Sequence, residues 1–312
     1  MSAIDTGLDP GVIEERARGA LLGTFVGDAL GMPYEGMAPD AIPADVEMVD
    51  ARRGAGTYTD DTQMMIALAE SLIERGRIDD AHLARAFLDA YDPDRGYGGG
   101  TRQVFELWAR GASVADAAGS IFGGKGSRGN GAAMRIAPVG VRFHAEPARL
   151  VAEAGASARL THAHPVAIDA AVVQAVVVGA AIRGADLLAC ASAAATSDEM
   201  RGALRDVELL LRERPGPEEI NRRLGSASDA RESVSAALYS ALAHDSFARA
   251  LTFAVRVGGD TDTVAAMCGA VTGARDGAGS IPRRWLERLE DGERGRSHVE
   301  RLAGRLCAAR AT

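Results

Sequence analysis

The chain has 312 residues, enough for one large domain or two small ones. Its net charge of −8 excludes the basic balance that non-specific adhesion to nucleic acid or to an anionic membrane requires, although a metal ion or local basic groups can still make one pocket receptive to an anion. Hydrophobic residues make up 47% and aromatics only 4%, so Ala, Val, Leu and Met must fill the core, which suits close helix packing better than a β-sandwich.

In chain order, apolar spacing predicts helices over 12–30, 61–75, 81–91, 101–110, 148–160, 165–183, 200–212, 231–243, 247–257, 261–275 and 283–289. The first carries small residues on one face and turns Glu14, Glu15, Arg16 and Arg18 to water. The second places Met64, Leu68 and Leu72 at i, i+4 and i+8, and Gly76 ends it. Alternating patterns at 47–49 and 139–143 are too short to found a sheet. With no internal repeat and no Pro-, Gly- or Ser-rich linker, the expectation is one all-α domain over 1–312, its core at about 12–291.

Residues 1–10 lack the basic-then-apolar pattern of a leader. No run reaches the roughly 18 consecutive apolar residues of a membrane span; 166–182 comes closest, but Asp169 and Gln174 interrupt it. Cys190, Cys268 and Cys307 are odd in number and sit in apolar helical contexts, reading as buried free thiols in a reducing compartment. The expected location is the cytoplasm.

Three stretches are dense in glycine: 31–36, 96–100 and 123–131. Such loops carry function when a rigid scaffold holds them. Gly56-Thr57-Tyr58-Thr59-Asp60-Asp61-Thr62-Gln63 lies where a loop enters a helix. One reading is a plain cap, with Asp60 and Gln63 close to a capping box. A cap needs one oxygen, however, and Thr59, Asp60 and Asp61 offer several in succession, the donor type that hard cations such as Mg²⁺ prefer. A second stretch, Gly258-Gly259-Asp260-Thr261-Asp262-Thr263, repeats the composition at another helix start. Together they supply four carboxylates and at least two hydroxyls, enough for two adjacent metal ions.

Gly123-Gly124-Lys125-Gly126-Ser127-Arg128-Gly129-Asn130-Gly131 contains G-x-G-x-x-G without a preceding strand, so the dinucleotide-binding context is missing. It is not a P-loop, because Gly126 follows Lys125. It can be a diphosphate cradle, with backbone N–H groups, Ser127 and Lys125 converging on an anion, or a flexible surface loop. In Thr161-His162-Ala163-His164 the His pair lacks the partners of a zinc site, leaving hydrogen bonding by His162 or helix capping. Glu35 is a lone acid in a glycine-flanked loop, and His82, His144, His244 and His298 read as surface or core fillers. Nothing supports Ser/His/Asp nucleophilic catalysis.

As a set, these residues resemble the ADP-ribosylglycohydrolase family, the group of dinitrogenase reductase-activating glycohydrolase and the ADP-ribosyl-acceptor hydrolases, from about residue 18 to 275. The resemblance rests on Gly19-Ala20-Leu21-Leu22-Gly23 with Gly27-Asp28-Ala29-Leu30-Gly31, then Tyr58 to Gln63, Gly124 to Ser127, Gly129 to Gly131, Thr161-His162, and Gly258 to Thr263. It implies a single compact, orthogonal all-α domain holding two Mg²⁺, for which Mn²⁺ can substitute. Thr59, Asp60, Asp61, Asp260, Asp262 and Thr263 then become metal ligands, joined by Glu35 from a mobile flap, and Glu35, Asp60 and Asp61 the catalytic acids. The metals would bind the distal ribose hydroxyls and a water, and scission would pass through an oxocarbenium-like state.

The glycine loop looks most like that of the serine-directed type-3 branch, whose members also act on O-acetyl-ADP-ribose and poly(ADP-ribose). By that likeness Lys125, Gly126, Ser127, Arg128, Gly129, Asn130 and Gly131 line the diphosphate and proximal ribose, His162 contacts the ligand, Phe122 stacks on adenine and Gly99 lies beside the distal ribose. Arg128 stands where that branch carries tyrosine, and its guanidinium plane can stack in the same place. The implied activity is Mg-dependent hydrolysis of ADP-ribose from serine-linked protein, O-acetyl-ADP-ribose or poly(ADP-ribose). An arginine-linked hydrolase and a non-catalytic ADP-ribose-binding relative are the alternatives. The expected partners are ADP-ribose and its acceptor, met by a monomer without membrane or nucleic acid.

Overall fold

Each segment with helical apolar spacing is a helix in the structure, a computed structural model that describes residues 4, 7–51 and 53–308. Their ends fall within three residues of those predicted. The sequence-level reading of the chain start extends to residues 1–3, 5 and 6, which lie outside the described part. In order, the helices are α1 (Pro10–Gly31), α2 (Asp60–Arg75), α3 (Asp80–Ala90), α4 (Gly99–Ala109), α5 (Val114–Gly124), α6 (Gly131–Met134), α7 (Ala137–Arg142), α8 (Pro147–Arg159) and α9 (Pro165–Arg183). There follow α10 (Leu187–Ala194), α11 (Asp198–Glu213), α12 (Pro217–Leu224), α13 (Ala230–Ala243), α14 (Phe247–Arg256), α15 (Thr261–Asp276), α16 (Arg283–Leu286) and α17 (Arg296–Ala308). Among the described residues there is no strand, only one isolated antiparallel bridge between Gly129 and Asp229. The alternating run 139–143 falls largely in α7, where Val139 and Val141 are both buried, so the alternation carried no two-faced surface.

The centre of the fold is an antiparallel pair, α1 against α15, in backbone contact. A Cβ on Gly19 would stand 2.1 Å from the Gly273 carbonyl oxygen, on Gly23 2.1 Å from that of Gly269, and on Gly27 2.1 Å from that of Ala265. Viewed from α15, a Cβ on Gly269 or Gly273 would stand 2.0 or 1.9 Å from the carbonyl oxygens of Gly23 and Gly19. Glycine every fourth residue on α1 therefore makes a flat seam, and no side chain separates the two helices. Gly31 closes the row against Thr261 and Asp262, which fixes the start of α15 beside the end of α1.

α9 lies beside this pair. Its length and apolarity would suit a membrane span, yet 83% of its most apolar window is buried inside the protein. Gln174 donates to the Met267 carbonyl on α15 (3.0 Å), and Asp169 accepts from Thr196 and Ser197 on both backbone and hydroxyl. The two polar residues that interrupt the run thus dock α9 to its neighbours. The buried apolar set continues past residue 291, where Val299, Leu302, Ala303 and Leu306 of α17 join the core. Of the cysteines, all free, Cys268 is buried, whereas Cys190 and Cys307 are only half-buried, because their helices lie at the periphery.

Gly269→Ala isolates the seam. Alanine would ordinarily gain about 1 kcal/mol over glycine in a helix, but here its methyl must displace the α1 backbone. Net destabilisation of about 1–3 kcal/mol or more is expected from overpacking. Gly119→Ala in α5, whose Cβ would meet nothing within 4 Å, should instead be neutral or stabilising. Urea denaturation of the two variants beside the parent measures both.

Candidate active site

Two helix starts, those of α2 and α15, meet at the end of α1. Asp28, fully buried, accepts from the Thr59 N–H (3.0 Å), the Thr62 N–H (3.1 Å) and the Thr62 hydroxyl (2.6 Å), so α1 supplies the acceptor for the first turn of α2. Burial pushes the Asp28 carboxyl up to about 6, against the lowering pull of its bonds from Thr62 and Thr59. The capping box expected from Asp60 and Gln63 does not form. Thr59 is the N-cap, accepting from the Asp61 N–H, and Gln63 instead accepts from the Tyr97 hydroxyl (2.8 Å) and the Asp92 N–H (3.3 Å). Asp60 and Asp61 are thereby left for the cleft.

From the other side, the α1–α15 seam delivers Asp260, Asp262 and Thr263. Carboxylate oxygens of Glu35, Asp260 and Asp262 lie within 4.8 Å of one another. Deeper in, Asp61 Oδ2 accepts from the hydroxyls of Thr59 and Thr263, both at 3.2 Å. Asp61 Oδ1 is buried and has no hydrogen-bond partner among the described residues. Glu35 is held over the cluster by a reciprocal backbone pairing, Gly36 N–H to Gly259 O (2.8 Å) and Gly259 N–H to Met37 O (3.0 Å).

So many acids cannot all ionise unaided. The Asp60 carboxyl is pushed up to about 8, by burial first and then by Asp28, Asp260 and Glu35. Burial and neighbouring carboxylates also raise Asp61 and Asp262 well above the usual range. The donor set of hard oxygens, one of them an orphaned buried carboxylate oxygen, fits a divalent cation.

These acids occupy one end of a cleft of about 1010 Å³, and the 123–131 loop forms the other. Glu35, Gly99, Phe122, His162 and every residue from Lys125 to Gly131 line it, as do Asp60, Asp61, Asp260, Asp262 and Thr263. Of the predicted site residues only Thr59 lies off this wall, bordering a smaller cavity next to it. The 123–131 loop packs against the 161–164 segment. Gly126 has φ +72°, and a Cβ there would stand 2.8 Å from that of Ala163. Among the described residues the N–H groups of Ser127 and Arg128 have no acceptor, which suits an anion. Phe122 adopts φ +51°, rare for a bulky residue, with its side chain 56% exposed.

Three placements differ from a simple lining role. Asn130 donates to Asp260 Oδ2 (2.8 Å), tying the glycine loop directly to the acid cluster. Arg128 makes a fork to Glu199 (2.7 and 3.2 Å) and a third bond to Asp229 (3.0 Å), so its edge is occupied and its plane held. Both histidines of the pair line the cleft: His164 also caps α9 by accepting from Val166 N–H, and His162 stands behind Gly129 and Gly131. Burial and then Arg135 push His162 down to about 3, so it acts as a neutral hydrogen-bonding ring.

Sequence reasoning missed the supports of this site. Arg95, 9% exposed, stacks over Tyr58 (3.7 Å to the ring centroid), donates to the Tyr58 carbonyl (2.7 Å) and forks onto Glu290 (2.5 and 3.2 Å). Glu290 also accepts from the Tyr58 N–H (2.9 Å), so two residues remote in sequence fix the loop that leads into Thr59 and Asp60. Arg135 is wholly buried against Phe87, bonded to the Ser157 carbonyl, and burial holds its guanidinium down to about 9. Ser228 and Asp229 join the cleft wall from the α13 start. Nothing in the local pattern around these residues marks them.

A family model described as ADP-ribosylglycohydrolase matches residues 9–312. The chain is 33% identical to ADP-ribosylhydrolase ARH3 of Bos taurus, covering 88% of each chain. It is 32% identical to ADP-ribosylhydrolase ARH3 of Homo sapiens, covering 88% of this chain and 89% of that one. ADP-ribosylarginine hydrolase Tri1 of Pseudomonas putida (strain GB-1) is 27% identical, with 96% and 80% covered. A solved structure titled "ADP-ribosylglycohydrolase-related protein complex" superposes with a TM-score of 0.81 at 32% identity, covering 96% of this chain and 99% of that one.

Arg95→Ala should lower unfolding free energy by about 2–4 kcal/mol, toward the low side of a broken buried ion pair because Glu290 is partly exposed. Arg95→Lys should recover less than half, since an ammonium cannot make the fork or the stack. Guanidinium chloride unfolding tests this. Equal stability of parent and Arg95→Ala would mean that the 56–59 loop is held by other contacts.

Proposed function

The chain belongs to the ADP-ribosylglycohydrolase family, and from that premise we propose that it is a Mg²⁺-dependent hydrolase freeing ADP-ribose from hydroxyl- or acyl-linked acceptors, serine above all. The observation that carries this reading is the meeting of the two Asp clusters and Glu35 at one end of a cleft whose other end is an anion-ready glycine loop. Glu35, Asp260 and Asp262 would hold one ion, and Thr59, Asp60, Asp61 and Thr263 a second. When bound, such ions supply Lewis-acid polarisation of ribose hydroxyls and of a water.

The chain's own groups do the rest. The Ser127 and Arg128 N–H groups and Lys125 hold the diphosphate, while Gly129 and Gly131 leave room for the proximal ribose. Phe122 and the clamped plane of Arg128 take the two faces of the base. Neutral His162 offers a hydrogen bond to the ligand, and Gly99 leaves space beside the distal ribose. As the bond from ribose C1 to the acceptor oxygen lengthens, the carboxylates of Asp60 and Asp61 offset the positive charge on the sugar. Glu35 takes a proton from the attacking water, the water oxygen bonds to C1 as the bond from C1 to the acceptor oxygen breaks, and Glu35 passes that proton to the departing acceptor oxygen. The full set of acids speaks against a non-catalytic relative. The ADP-ribosylarginine hydrolase among the relatives makes arginine the second acceptor to test. Release of ADP-ribose from serine-linked and arginine-linked peptides, with Mg²⁺ and with excess chelator, tests the reading. Cleavage of the arginine-linked peptide alone, or full turnover in chelator, overturns it.

Two further outcomes are expected. Asp262→Asn should lose roughly a hundredfold or more in rate, because metal-bound groups are worth several kcal/mol in the transition state; undiminished turnover counts against the ligand role. The second concerns pH. With folded-state values raised to about 6 for Asp28 and about 8 for Asp60, the folded metal-free protein binds protons that the unfolded chain releases above about pH 4. Metal-free stability should therefore fall as pH rises from about 4 to 8. A dication that pairs with the carboxylates reverses this, so the Mg²⁺-induced rise in Tm should be small near pH 5 and grow toward pH 8. A Tm gain independent of pH would speak against ions at these carboxylates.

A further inference from the structure

The strip 226–230, between α12 and α13, is bonded to both ends of the cleft. On the loop side, Asn130 N–H donates to the Ser228 carbonyl (3.0 Å) and Ala230 N–H to the Arg128 carbonyl (3.0 Å), the bonds of the isolated bridge between Gly129 and Asp229. On the acid side, Asp260 N–H donates to the carbonyl of buried Ser226 (2.8 Å). Gly259 packs so closely there that a Cβ would stand 2.5 Å from the same oxygen. Asn221 of α12 closes this second junction, donating through Nδ2 to Ser226 Oγ (2.6 Å) and to the Val257 carbonyl (2.9 Å).

Side chains make a second connection. Asp260 is the N-cap residue of α15, yet its carboxylate caps nothing. It accepts instead from Asn130 Nδ2 (2.8 Å). Asn130 therefore reaches the strip through its backbone and Asp260 through its amide. The place of Asp260 is set from the glycine loop by two routes, one direct and one through residues 226–230.

Ligands at the two ends act on this one set of bonds. An oxyanion on the open N–H groups of Ser127 and Arg128 fixes the backbone that carries the Arg128 carbonyl and the Asn130 amide. Asp260 is then held by both partners before a cation arrives, and less conformational entropy is left to lose when it does. We propose that Asn130, with Asn221 and the 226–230 strip behind it, couples the two ends of the cleft. A nucleotide on the glycine loop raises the affinity of the acid cluster for a divalent cation, and the cation raises that of the loop by the same factor. Asn130 and Asn221 are positioning residues in this, acting on the cation through Asp260. The inference rests on the function proposed above for what occupies each end, and adds a thermodynamic link that hydrolysis itself does not require.

The test uses a ligand for one end only. AMP carries the base and one phosphate but no distal ribose, so its effect on the cation must pass through the protein. Titration calorimetry of AMP with and without saturating Mg²⁺, corrected for Mg²⁺–AMP association in buffer, reads the coupling factor. The Kd for Mg²⁺ with and without AMP must change by the same factor. For the parent, AMP should bind about three- to tenfold more tightly with Mg²⁺, toward the low end of the usual range for coupled sites. Asn130→Ala and Asn221→Ala should each bring the factor below about twofold. Asn221 borders neither the cleft nor the smaller cavity beside it, so Asn221→Ala should keep the cation-free Kd for AMP within about twofold of the parent. A merely structural role would weaken AMP binding with and without the cation alike and leave the factor unchanged. Should Asn221→Ala misfold, Asn130→Ala carries the comparison alone. A parent that binds AMP and Mg²⁺ independently, or variants that both keep the parent's factor, overturn the coupling while the proposed function stands. A parent that binds no Mg²⁺, or no AMP, overturns both.

Discussion

The backbone contact between α1 and α15 is the constraint on which the site depends. Two helices this close need glycine wherever their ridges meet, and Gly19, Gly23 and Gly27 meet Gly273, Gly269 and Ala265 in turn. The seam sets where α15 begins, and with it Asp260 and Asp262. The same α1 presents Asp28, three residues before the seam's last glycine, to the N–H groups opening α2. One helix thereby brings together two acid clusters about 200 residues apart in sequence, and a change of register by a single turn would separate them.

Convergence has an electrostatic cost that the fold does not remove. Burial and mutual repulsion raise Asp60, Asp61 and Asp262 together, and the hydroxyls of Thr59 and Thr263 serve only one oxygen of Asp61. Such an arrangement is strained in the absence of positive charge and relieved by its arrival, as expected of a binding site and not of a structural core. Asn130 carries the consequence to the glycine loop through its bond to Asp260. The two ends of the cleft are thus one hydrogen-bonded unit.

Legibility in the sequence followed periodicity and composition. The long helices up to residue 275 were readable, as were the paired Thr/Asp stretches and the glycine loop, because each concentrates an unusual residue set in a few positions, whereas the 13-residue α17 was not read. α5 was not, since it breaks its own geometry at Ile121, Phe122 and Gly123. Short helices such as α6, α10 and α12 offer too few turns for a period to emerge, and α7 mimics a strand because Val139, Val141 and Phe143 are buried all round. The capping-box reading failed for a different reason. Its arithmetic was sound, but Asp28 and Tyr97, distant in sequence, offered Thr62 and Gln63 better partners.

What the sequence determined by itself was the chemical inventory: hard oxygen donors in two clusters, an anion-ready loop, a helical scaffold and the family likeness they compose. Local spacing suffices for these because cap, ligand and loop residues are defined within a few positions of one another. Only the tertiary structure decided which of them face the same space. It turned Asn130 toward Asp260, clamped Arg128 between Glu199 and Asp229, and recruited Arg95 and Glu290 to hold the Tyr58 loop. Each of these contacts joins residues whose separation in the chain is bridged only by packing, and packing is set by the glycine seam and the core around it rather than by any local pattern.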